Sequence, residues 1–79
     1  MKALIFCRVY HKEMANVIEK FREFPEIKKV FSLTGEYDVL AEIEVEDSDA
    51  LYESFAKKID MVSGIIKTNT HVIMKEFVK

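Results

Sequence analysis

The chain has 79 residues, one cysteine and a formal net charge of −2. That length allows a single domain over residues 1–79, and a lone cysteine excludes an intrachain disulfide. The weakly acidic balance argues against direct nucleic-acid binding, which usually needs a basic stripe.

A domain this short buries only about 60–65% of the surface its unfolded chain exposes. No Cys/His cluster has metal-ligand spacing, so no metal is expected. Other copies of the chain are the expected source of further stability. Lys2 and Arg8 interrupt the apolar N-terminus too early for a signal peptide, and no run approaches membrane-spanning length. A cytoplasmic location without membrane contact is expected.

Residues 3–10 read as a buried strand, apolar at nearly every position. Over 12–24 the period changes. Met14, Val17, Ile18 and Phe21 form one helical stripe, and Pro25 ends it by forcing the preceding residue out of the α region. Residues 27–34 predict a second strand, punctuated by Gly35. Residues 37–45 predict a third by strict alternation. Glu46-Asp47-Ser48-Asp49 is an acidic helix start with Asp47 or Ser48 as the cap. Leu51, Phe55 and Ile59 continue that helix, and Ser63-Gly64 predicts its stop. Residues 65–75 predict the last strand. Lys28-Lys29 and Lys57-Lys58 read as solvated surface.

The order βαββαβ, two βαβ units in tandem, predicts an α+β ferredoxin-like fold: a four-stranded antiparallel sheet with two helices on one face. Aligning the halves places Ala3, Ile5, Cys7 and Val9 on Tyr37, Val39, Ala41 and Ile43. This set is expected to face the helices. Leu4, Phe6, Arg8 and Tyr10 then lie on the open face, with Leu40 beside them. A sheet face open to water should be polar, whereas this one exposes large apolar groups worth about 1.5–3 kcal/mol each if buried. A second subunit is expected to cover it, with Arg8 pairing Glu42 or Glu44 across the sheet.

Two segments can carry binding. In Thr34-Gly35-Glu36-Tyr37-Asp38, a tight turn offers backbone N–H groups to an anion beside a carboxylate that attracts a cation, a combination that suits a zwitterion. The plain alternative is a hairpin turn. Thr68 and Thr70 share a face of the last strand with Ile66, Val72 and Met74. They offer hydroxyls in an apolar wall, or serve only strand propensity. His11 and His71 have no companion ligands, and Cys7 is expected to be buried and inert. Nothing assembles a catalytic set, so no enzyme activity and no cofactor are expected.

The T-G-x-aromatic-D turn (Thr34, Gly35, Tyr37, Asp38) and the later T-x-T (Thr68, Thr70) resemble the RAM domain, the effector-binding domain of the Lrp/AsnC (feast/famine) transcriptional regulators. Val30 also matches an apolar family position near the start of strand two. The resemblance implies a dimer formed by two sheets packed face to face, a dimeric α+β sandwich or barrel. It further implies association of dimers, up to a tetramer of dimers, with a small amino-acid effector bound near the glycine turn. On that basis Gly35, Glu36 and Tyr37 would contact a ligand carboxylate through the backbone. Asp38 would meet an ammonium group or order the loop, and Thr68, Thr70 and Val30 would line the pocket. Full-length family members carry an N-terminal helix-turn-helix domain, whereas the first strand here begins within a few residues of Met1. A stand-alone domain, acting on transcription by co-assembly with full-length relatives, is therefore expected. The fold equally serves small monooxygenase-like enzymes and ligand-free assembly modules.

Overall fold

The computed structural model describes residues 1–79. Strand β1 spans Lys2–Val9, helix α1 Met14–Glu23, β2 Ile27–Ser32, β3 Val39–Glu44, α2 Ser48–Lys57 and β4 Ile65–Val72. Short 3-10 turns, His11–Glu13 and Ile59–Met61, precede α1 and follow α2. The four strands form one antiparallel sheet in the order β2-β3-β1-β4, the ferredoxin-like arrangement.

The core follows the alternation of the central strands. Ala3, Ile5 and Cys7 of β1 and Val39, Ala41 and Ile43 of β3 are fully buried, as are Val17 and Phe21 of α1 and Ile59. Register explains the match, since Ala3, Ile5 and Cys7 stand opposite Ile43, Ala41 and Val39. The α1 stripe closes this side at Val17 and Phe21, with Met14 and Ile18 packed at its margin. Asp47 caps α2, its Oδ1 accepting the Ala50 N–H at 2.8 Å, which satisfies one of the orphan donors of the first turn.

Two irregularities reset which residues face the helices. In β2, Ile27 opposes Ile43 but Lys29 opposes Glu42, so an extra residue is inserted. The strand bulges there. Ile27 and Val30 consequently both face the helices, and Phe31 faces the open side opposite Leu40. In β4 a second shift makes Ile65 the partner of Val9. Ile65, rather than Ile66, packs against the core, and Ile66 is half exposed. The strand also ends at Val72 rather than reaching Met74, although the Ile73 N–H still bonds Lys2 O.

A polar cluster ties the connection after α1 to the end of α2. Glu26 accepts hydrogen bonds from the Ser54 hydroxyl and from Lys58 Nζ, and Ser54 is the one buried polar residue. Burial disfavours the Glu26 carboxylate, but the Lys58 and Ser54 bonds outweigh it and hold its pKa down at about 2. A depressed carboxyl stabilises the fold above its unfolded value of about 4.5, and that contribution is lost as pH falls from about 4.5 to about 2. Glu26→Gln is expected to cost about 1–2 kcal/mol at neutral pH, allowing for screening at the partly exposed Lys58. Urea melts at a series of pH values should show the gap to wild type closing across that window. A gap unchanged from pH 7 to pH 2 would remove the charge from the explanation.

Candidate functional site

The loop between β2 and β3 is anchored at one end and open at the other. Its anchor is Asp38. The Asp38 N–H donates to Cys7 O at 2.9 Å, and Asp38 O accepts the Leu33 N–H at 2.8 Å. The carboxylate Oδ2 accepts the Val9 N–H at 2.8 Å. Asp38 thus closes the end of β1 and joins it to β3 with both its backbone and its side chain. Thr34, Gly35 and Glu36 are exposed, and the N–H groups of Gly35, Glu36 and Tyr37 donate to no protein acceptor. Gly35 has φ +107°, and a Cβ there would meet nothing within 4 Å. Its glycine serves the backbone conformation and not a close approach.

Tyr37 departs from the alternation of the sequence. It precedes β3, which begins at Val39, and it does not join the helix-facing set. Its ring packs instead against Phe6, centroids 5.6 Å apart, and its hydroxyl accepts a hydrogen bond from Asn69 Nδ2 at 3.2 Å. Phe6 and Asn69 are cross-strand partners on β1 and β4, so Tyr37 lies over the open face of the sheet. Strand pairing stops short of Tyr37 because Asp38 turns its backbone to Leu33 and Cys7.

The open face carries Leu4, Phe6 and Leu40, all half-buried, with Phe31 at 44% exposed. His71 lies beside them, its ring edge-on to Phe6 at 5.6 Å, because it stands opposite Leu4. Tyr10 falls just beyond β1 and is exposed, its N–H bonded to Gly64 O. Arg8 makes no ion pair with Glu42 or Glu44. Register is the reason: Glu42 opposes Leu4 and Glu44 opposes Lys2, while Arg8 has Lys67 beside it. Four residues of strand, about 13 Å, separate the level of Arg8 from that of Glu42. Phe31 and Asn69 were missed in the sequence. The bulge hides the first, and an Asn between two threonines gives no periodic signal.

The other proposed ligand contacts lie on the helix side. Thr68 opposes Cys7, level with Val39, and Thr70 opposes Ile5. Thr68 therefore stands two strands, about 10 Å, from the loop end but on the opposite face from Tyr37. Thr70 closes an apolar hollow of about 270 Å³ with Leu51, Tyr52 and Phe55 of α2. Val30 lines a separate hollow of about 260 Å³ beside Ile18 and Arg22. A third, of about 500 Å³, lies between the C-terminal ends of the helices and holds Lys20, Lys57 and Lys58. None of the three is lined by Gly35, Glu36, Tyr37, Asp38 or Thr68.

His11 and His71 are exposed and line no hollow. No group of three His, Cys, Asp or Glu residues is placed to hold a metal ion. Burial pushes the Cys7 thiol up to about 12. No helix is long and apolar enough to cross a membrane.

A family model described as Lrp/AsnC ligand binding domain matches residues 2–79. The HTH-type transcriptional regulator FL11 of Pyrococcus furiosus is 29% identical over 73 residues, covering 92% of this chain and 48% of the regulator. The chain thus spans about half the length of the curated relatives it matches. Among solved structures, TTHA0845 from Thermus thermophilus superposes with a TM-score of 0.92 at 23% identity, covering 99% of this chain and 98% of that one. The transcriptional regulator NMB0573 of Neisseria meningitidis, in its L-Met complex, superposes at 0.90 with 21% identity, covering 99% and 52%.

Proposed function

The chain belongs to the Lrp/AsnC ligand binding domain family, and from that premise we propose that it is a non-enzymatic amino-acid sensor that works as an oligomer. A second copy covers the open sheet face, and dimers associate further. The effector sits at the Gly35–Asp38 loop, and the domain modulates transcription in the cytoplasm by co-assembling with full-length Lrp/AsnC regulators.

The observation that carries the reading is the run of unpartnered N–H groups at Gly35, Glu36 and Tyr37 beside the anchored Asp38. Adjacent N–H groups in a turn suit a carboxylate. Asp38 uses Oδ2 for Val9, which leaves Oδ1 for an ammonium group. Thr68 lies level with the loop end but on the face opposite Tyr37, and Thr70 and Val30 belong to hollows of their own, so within one chain the three do not share the loop's ligand site. The absence of the loop from any hollow of one chain fits a site completed by a neighbouring copy. The Neisseria regulator, which shares the fold, is seen in complex with L-Met, and this supports an amino acid as the ligand class.

Calorimetry against the twenty amino acids tests this, at protein concentrations that keep the oligomer intact. Binding of at least one is expected. Neither heat nor a thermal shift with any of them would leave a ligand-free assembly module. Asp38→Asn is the sharper variant, because its amide oxygen can still accept the Val9 N–H. Loss of the charge alone is expected to weaken binding at least about tenfold, the scale of one charge-assisted hydrogen bond. Unchanged affinity would remove Asp38 from the ammonium site.

A further inference from the structure

Tyr37 and Asp38 are adjacent in the chain but are held by different parts of the sheet. Asp38 is bonded to the end of β1 by its backbone and carboxylate. Tyr37 reaches over the open face to Phe6 on β1 and Asn69 on β4. No other side chain of the loop is held by a hydrogen bond, since Thr34, Leu33 and Glu36 have none. Without the Tyr37 contacts, the stretch from Thr34 to Tyr37 would be fixed only at its two ends, by Leu33 and Asp38. The φ of Gly35, +107°, would then be one choice among several open to a glycine.

From this geometry we infer that Asn69 is a positioning residue for the loop, acting through its hydrogen bond to Tyr37. Asn69 makes no hydrogen bond to the loop backbone. It fixes the Tyr37 hydroxyl over Phe6, and the Tyr37 backbone then sets the direction of the N–H groups that precede it. The consequence reaches the assembly, because Phe6, Tyr37 and Asn69 meet on the face that we assign to a second copy. A partner sheet packed there would press on the Tyr37 ring and exclude water from the Asn69 bond, strengthening it. Loop geometry and sheet pairing are then one linked equilibrium, so each must favour the other. What the loop binds rests on the reading above, whereas its positioning by Asn69 stands without any ligand.

The test is therefore made without ligand. Amide ¹⁵N relaxation is measured at Gly35, Glu36 and Tyr37 in the wild type, in Asn69→Ala, in Tyr37→Phe and in the double variant. Sedimentation verifies that the samples compared share one oligomeric state. Tyr37→Phe keeps the ring on Phe6 and removes only the hydroxyl, so it decides the matter should Asn69→Ala fold poorly. Wild-type order parameters of about 0.85 are expected to fall below about 0.6 in either single variant. The double variant should be no looser than either single one, since both remove the same bond. Rigid loops in both single variants would overturn the inference, as would losses that add in the double variant. If no amino acid binds the wild type but the loop loosens as described, the sensing role fails and the positioning role survives.

Discussion

Phe6→Glu is expected to yield a folded chain in which the proposed pairing of open sheet faces is lost. Phe6 lies at the centre of the open face, between Tyr37 and His71, with Leu40 opposite on β3 and Asn69 opposite on β4. In a twofold interface the substitution enters twice. Losing two buried phenylalanines removes about 3–6 kcal/mol, or about two to four decades in dissociation constant. Burying a carboxylate in their place adds to the loss. The fold itself should persist, because the neighbours that point inward, Ile5 and Cys7, are untouched and fully buried. Sedimentation would read the assembly and far-ultraviolet circular dichroism the fold. A folded Phe6→Glu dimer would mean that some other surface makes the contact.

The second large effect is expected at Gly64, where a matched control exists within the same chain. Gly64 and Gly35 have nearly the same φ, +104° and +107°. At Gly35 a Cβ would meet open space; at Gly64 it would overlap Glu13 Cβ and stand 2.8 Å from Glu13 Cγ. The obstacle is the root of a side chain in the 3-10 turn that leads into α1, which cannot swing aside without moving that turn. Gly35→Ala should therefore cost only the conformational term, about 1–2 kcal/mol. Gly64→Ala carries that term and an overpacking term of about 1–3 kcal/mol. Domains of this size lose about 4–8 °C of Tm per kcal/mol, so the combined terms give a drop of roughly 8–40 °C at Gly64, against roughly 4–16 °C at Gly35. Equal Tm losses in the two variants would show that the Glu13 contact relaxes freely.

The fold was legible where the strand period ran unbroken. Alternation in the two central strands identified the buried set, and the α1 stripe, the Asp47 cap and the Pro25 stop each rest on local chemistry. Errors arose where a single residue changes parity. The bulge in β2 places Ile27 and Val30 on the same side although an unbroken strand would separate them, and this hid Phe31. The bulge in β4 exchanged Ile65 for Ile66. At Tyr37 the apolar alternation continues through a residue that backbone pairing has already left, so a position expected under the helices lies on the opposite face. Register also decided against the Arg8 pairing with Glu42 or Glu44, and register between distant strands is not written in either strand alone. The loop motif itself was visible as a motif. Its division into an anchored Asp38 and an unpartnered run of N–H groups needed coordinates.

Cys7 has a practical consequence. Its side chain is fully buried and its thiol is held up at about 12, so at neutral pH it carries almost no thiolate to react. It is also the chain's only cysteine. A single cysteine introduced at the exposed Glu36 would thus take a maleimide dye alone, with the native thiol left in place. A dye there can then report changes in the surroundings of the loop beside Asp38 by fluorescence, in an otherwise unaltered core.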